Sequence, residues 1–183
     1  MTDASNPIDL ARPTEGDVVD LILDDHRTFE ALLRQLRDAS SDRDAARQAF
    51  SALHVAHAEA EEEKVYPTLR RKDAIGEHEE EHGEHEHAEG HEALLKVLEA
   101  HQLEGEEFDE LVEKLATAVN HHLSEEELTI LNPARDDVSE DVRQKLGVDF
   151  ATERNQQLDA DCGRVDNVRK LVEEASKKGL LEE

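Results

Sequence analysis

The chain has 183 residues, a formal net charge of −26, 37% apolar and 3% aromatic residues, and no tryptophan. That length buries a real core as one domain, or as one domain with an appendage. So acidic a surface repels phosphate backbones and anionic lipid, which argues against nucleic-acid and membrane partners and favours cations.

Leu, Ala, Glu and Arg dominate while alternating β-branched runs are scarce, so the fold class expected is all-α. Residues 1–14 are polar and proline-broken, a flexible lead-in. Thr14 with Asp17 reads as a capping arrangement for a first helix that runs to about Arg37. Its apolar stripe is Val18, Ile22, Phe29, Leu33 and Leu36, and His26 falls on it. A second helix spans about Arg43 to Tyr66, stopped by Pro67, with stripe Phe50, Leu53, His57, Glu61 and Val65. A third ends near His101, with His87, His91, Leu94 and Leu98 on one face. A fourth spans about Glu106 to Leu131, stopped at Asn132-Pro133, with stripe Phe108, Leu111, Leu115, Val119, His122, Glu126 and Ile130.

Four helices on short polar links predict an up-down-up-down four-helix bundle over residues 15–133. Beyond Pro133 the composition shifts. Val138 to Leu158, capped by Ser139, and Asn167 to Ser176 read as helices with thin apolar faces, so residues 134–183 form a helical C-terminal extension packed on the bundle or on a partner.

His57 and Glu61 stand four residues apart, hence on one helical face about 6 Å apart along the axis, where both can reach one metal ion. His122 and Glu126 repeat the spacing on another helix. A carboxylate on an apolar stripe must be desolvated on folding, which costs several kcal/mol unless something compensates, and a metal ion does so directly. The rival pair His121/Glu125 faces out, because Lys114 lies seven residues before His121 whereas Leu115 lies seven before His122. The predicted metal ligands are therefore His26, His57, Glu61, His87, His91, His122 and Glu126. His82 is the best further candidate, ahead of His78 and His85; His54 and His101 read as surface residues. Tyr66, the one tyrosine, is expected to pack at the end of the second helix, with a place beside the ligands as the alternative. Imidazole and carboxylate without thiolate suit iron or manganese, and seven ligands exceed one tetrahedral zinc but suit two ions bridged by carboxylates.

Asp25-His26, His57 through Pro67, His87/His91 leading into Glu92-Ala93-Leu94-Leu95, and His122 through Pro133 together resemble the hemerythrin-like (HHE cation-binding) family, over about residues 17–133. The resemblance implies a bundle holding two non-haem irons, bridged by the two glutamates and an oxo or hydroxo group. An open coordination position beside histidine-ligated iron is where O2, peroxide or nitric oxide would bind end-on, with catalase-like or oxidase activity as an accompaniment. In place of Glu126, oxygen-carrying members have an aspartate one residue further on.

Two other readings start from the window Gly76 to Glu92, which holds five histidines and eight glutamates in 17 residues. One is a divalent-cation buffer chelating loosely through that window. The other is a carboxylate oxidase, which needs Glu-x-x-His on two separate helices, whereas Glu79/His82 and Glu84/His87 share one window. His78-Glu79-Glu80-Glu81-His82 also fits the zinc-protease pattern, but in repetitive polar surroundings. Cys162 is the single cysteine, which excludes a disulfide framework and a thiolate-built metal site. With no basic-then-apolar leader and no apolar run of spanning length, the expected location is the cytoplasm. Monomer and homodimer both remain open.

Overall fold

The computed structural model describes residues 7–181, and among them every regular element is helical. Helix α1 spans Val18–Arg37, with the Asp17 carboxylate accepting the Val19 N–H at its start. Thr14 takes no part in that cap, because Asp17 already serves the first turn. Helix α2 spans Arg43–Ala60, capped by Asp42. It continues without a break through a π-turn, Glu61–Val65, into α3, Tyr66–Arg71. Helix α4 is Glu77–Glu99; α5 is Glu106–Glu126, followed by a second π-turn, Glu127–Leu131, and α6, Asn132–Asp137. Two more helices follow among the described residues, α7 (Glu140–Asp159) and α8 (Val165–Lys177).

Both prolines expected to stop a helix are instead carried inside a longer helical rod. A proline has no N–H for the preceding turn, and its ring clashes with the carbonyl four residues back. A widened π-turn stands just ahead of Pro67 and of Pro133 and accommodates both, so the helical path continues past each proline.

The bundle is closed in the order α1, α2, α4, α5, with α5 returning to α1. Short links make successive helices antiparallel. Its interior has two apolar clusters. One is built around Phe29, Leu33, Phe50, Leu53, Leu94, Val97 and Leu115. The other is built around Ile22, Val65, Tyr66, Leu69, Ile130 and Phe150. The predicted ligands occupy the helical turns between these two clusters.

The C-terminal extension packs on the bundle: α7 lies against α1 and α2, and α8 against α4. Its docking relies on close backbone approach. A Cβ on Gly147 would stand 1.8 Å from the Gly16 carbonyl oxygen, and one on Gly163 would stand 2.4 Å from the Ala52 nitrogen. Ser51, fully buried, donates its hydroxyl to the Gly163 carbonyl at 2.7 Å. Of the lead-in, Ala11 and Pro13 offer their carbonyls to Arg154 and Asn155 of α7; residues 1–6 of that predicted segment lie outside the described residues.

Candidate metal centre

Each bundle helix turns an imidazole inward: His26 from α1, His57 from α2, His87 from α4 and His122 from α5, all buried. Glu61 and Glu126 are buried beside them. The donor atoms fall into two groups with Glu61 in common: His26, His57, Glu61 and Glu126 in one, and Glu61, His87 and His122 in the other. Glu61 spans the two, with Oε1 3.1 Å from His57 Nε2 and Oε2 3.1 Å from His87 Nε2. Glu126 Oε2 is 3.2 Å from His26 Nε2 and 3.6 Å from His122 Nε2.

All four imidazoles are pinned through Nδ1 by a carboxylate from a neighbouring helix. His57 Nδ1 meets Asp25 of α1 at 3.0 Å, and His87 Nδ1 meets Glu62 of the first π-turn at 2.8 Å. His122 Nδ1 meets Glu86 of α4 at 3.0 Å, and His26 Nδ1 meets Glu127 of the second π-turn at 2.8 Å. The pairs form a closed ring: α1 holds the histidine of α2, the α2 rod that of α4, α4 that of α5, and the α5 rod that of α1. Such carboxylate partners set the tautomer and ring orientation of metal-binding histidines, leaving Nε2 for the metal.

The π-turns explain why consecutive glutamates can share this work. A π-turn advances about 80° per residue rather than about 100°, so adjacent side chains splay less. Glu61 and Glu62 take opposite nitrogens of the His87 ring, and Glu126 and Glu127 take opposite nitrogens of His26.

Asp25 has a second, deeper partner. Arg154 of α7, 2% exposed, donates to both its oxygens at 2.7 and 2.8 Å. Burial opposes ionisation of Asp25, but His57 and Arg154 together hold its carboxyl below the usual range. The extension thereby completes the setting of a bundle histidine.

Tyr66 does more than pack at a helix end. Its ring stacks on His87, and its hydroxyl lies 3.0 Å from Glu126 Oε1 and 3.3 Å from Glu61 Oε2, where its one proton serves the nearer carboxylate. Burial first, then Glu126 and Glu61, push the phenol well above its ordinary value, so it stays protonated. Gly83 of α4 makes room, since a Cβ there would stand 3.0 Å from the Tyr66 ring and oxygen.

The remaining histidines separate. His91 joins neither group, although its Nε2 is likewise buried without a hydrogen-bond partner; its ring packs edge-on against His54 at 4.9 Å, and burial, with His87 and His122 nearby, pushes it down to about 3. His54, expected at the surface, is buried, stacked on Phe50 in the space that Gly90 leaves. It sits one turn before His57, on the flank of the inward face, which periodicity alone assigns to solvent. His82 stands away from the two inner groups, with Glu86 and His121. His78 and His101 are exposed, and His85 pairs with Glu89 at 3.3 Å.

A cation fits this chemistry. His57, His87 and His122 Nε2 and Glu61 Oε1 are buried without a hydrogen-bond partner, a state that costs free energy unless a charge converges on them. Burial alone would lower the His57 imidazole, but Glu61 and Asp25 push it up to about 10. Glu61 is held well below its ordinary value against burial by His57 and His87. The cluster is thus negative carboxylates offset by protons, which an incoming metal ion displaces.

Among the described residues no helix is long and apolar enough to cross a membrane. A protein of Nostoc sp. (strain PCC 7120 / SAG 25.82 / UTEX 2576) described as "DNA nickase" is 29% identical over 136 residues. The match covers 73% of this chain and 38% of that protein, so the chain spans well under half of that relative's length. No solved structure matches. Residues 17–133 match the family described as Hemerythrin HHE cation binding domain. That stretch contains every member of the two inner groups and all four carboxylates that pin their histidines, and the chain belongs to the hemerythrin HHE cation-binding family.

Proposed function

We propose that this is a non-haem di-iron protein that binds O2, peroxide or nitric oxide at a carboxylate-bridged iron pair. The observation that carries the reading is the set of unpartnered buried donors of His57, Glu61, His87 and His122, in two groups with Glu61 in common. His26, His57, Glu61 and Glu126 would hold one iron; Glu61, His87 and His122 would hold the other, with Glu126 reaching toward it. His91 lines the wall beside them. Imidazole and carboxylate donors suit iron, and so few protein ligands for two ions leave positions for a small ligand. When bound, the iron pair would supply the open positions and the electrons such a ligand needs.

The protein's own share is orientation and water exclusion. The Nδ1 pairs hold the four rings, Tyr66 donates its hydroxyl hydrogen bond to the Glu126 carboxylate, and apolar clusters close both ends. Sensing, peroxide removal and iron or oxygen handling in the cytoplasm all fit this arrangement. A loose buffer over residues 76–92 fits less well, because that stretch is folded into α4 with Glu86 and His87 buried. An oxidase of the two-helix Glu-x-x-His kind also fits less well, since both such pairs lie on α4. DNA nicking, named for the Nostoc protein, is not carried over: most of that relative lies outside the match, and a net charge of −26 opposes binding to phosphate backbones.

Metal content by mass spectrometry, with an ultraviolet–visible spectrum on the same iron-grown sample, tests the proposal. About two irons per chain with oxo-to-iron charge-transfer bands are expected, both lost in His57→Ala, Glu61→Ala. Zinc or nickel at variable stoichiometry, unchanged in that variant, would overturn it.

A further inference from the structure

Glu86 has two differently occupied oxygens. Oε2 accepts the His122 Nδ1–H, while Oε1 is buried and has no hydrogen-bond partner. Facing Oε1 are His82 Nε2, one turn earlier on α4, at 3.3 Å, and His121 Nε2, from α5, at 3.2 Å. Ligand atoms about 2.0–2.1 Å from a tetrahedral metal stand roughly 3.3 Å apart, which these two spacings match, and the three ligand atoms all lie within 4.8 Å of one another. The His82 and His121 side chains are 42% and 59% exposed, so the group opens to solvent on one side and ends on a buried carboxylate on the other. Two imidazoles and one carboxylate are a recurrent donor set for borderline divalent transition-metal ions.

We infer that His82, Glu86 and His121 form a third metal site, distinct from the two inner groups, that takes one divalent transition-metal ion from solvent and completes its coordination with water. Glu86 belongs to both places: one oxygen faces the outer ion and the other holds His122, a member of the inner cluster. An ion at the outer site thus sits one carboxylate away from an inner ligand. The inference does not depend on which metal fills the interior.

Cobalt(II) is the probe, because its visible absorption reports nitrogen–oxygen coordination. Metal-free wild-type protein and the His82→Ala, His121→Ala variant are titrated in parallel by calorimetry and absorbance. Both substitutions fall on partly exposed side chains, and circular dichroism checks that the fold is retained. The expected result is one fewer cobalt equivalent in the variant, or that equivalent weakened at least about tenfold, with the remaining stoichiometry unchanged. Equal stoichiometry and affinity in the two proteins would overturn the inference and assign the extra ions to the acidic surface. Because the readout is a difference of one equivalent, it stands whether or not the inner centre proves to hold two irons. The His57→Ala, Glu61→Ala variant should keep the outer equivalent.

Discussion

Replacing Arg154 by alanine probes how far the extension belongs to the metal centre. The guanidinium is buried, with both Asp25 oxygens and the Ala11 carbonyl as acceptors. Its removal leaves the Asp25 carboxylate, 5% exposed, with His57 as its remaining charge partner. Removing one member of a buried ion pair costs about 3–5 kcal/mol, against a total stability of about 5–15 kcal/mol for a domain. Urea unfolding of metal-free Arg154→Ala should therefore show a loss of about that size. The double replacement Asp25→Leu, Arg154→Met, which removes both charges, should cost less than Arg154→Ala alone. His57 also loses a firm orienting partner, and disturbing such partners typically weakens metal binding by about 10–100-fold, readable by competition with a chelator. A loss under about 1 kcal/mol with unchanged metal affinity would refute the view that α7 is part of the centre.

The metal-free protein should lose stability as pH rises from about 6.5 to about 10. The folded His57 imidazole is held up at about 10, above its unfolded value of about 6.5, so its contribution is whole below the lower value and drains through the higher one. His26 and His87 are raised as well and act in the same direction. Urea midpoints across this window measure it, and the iron-loaded protein, with the same surface charge, should show a much shallower slope; equal slopes would sink the argument. Gly90→Ala gives a further check. A Cβ there would stand 2.9 Å from the His54 ring, so the substitution should destabilise by about 1–3 kcal/mol even though alanine is the better helix former by about 1 kcal/mol. A stabilised variant in thermal unfolding would mean that His54 moves aside freely.

The bundle was legible because its apolar stripes are regular and its polar members interrupt them at helical spacing. Val18, Ile22 and Phe29 bracket His26, and Leu115, Val119 and Ile130 bracket His122 and Glu126. What periodicity hides is contact made by other means. The extension docks through Gly147, Gly163 and the Arg154 ion pair, none of which makes an apolar stripe, so its helices read as thinly apolar. The helices run past Pro67 and Pro133 because a π-turn absorbs each proline, and no local pattern distinguishes that from a stop. A signal for the pinning carboxylates did exist: Asp25, Glu62, Glu86 and Glu127 each adjoin a residue of the inner groups. In so acidic a chain that adjacency is indistinguishable from solvated charge until the helices are placed side by side.

The Asp25–Arg154 pair also has a consequence in time. Its members are 129 positions apart in the chain. At about 5–20 residues per second, translation delivers Arg154 roughly 6–26 s after Asp25. Through that interval all four histidines and both glutamates of the inner groups are made before the cation that settles Asp25 exists. Docking of α7 over α1 and α2 thus follows the synthesis of the four bundle helices, and until it happens one of the four rings is held by a carboxylate that lacks its own cation.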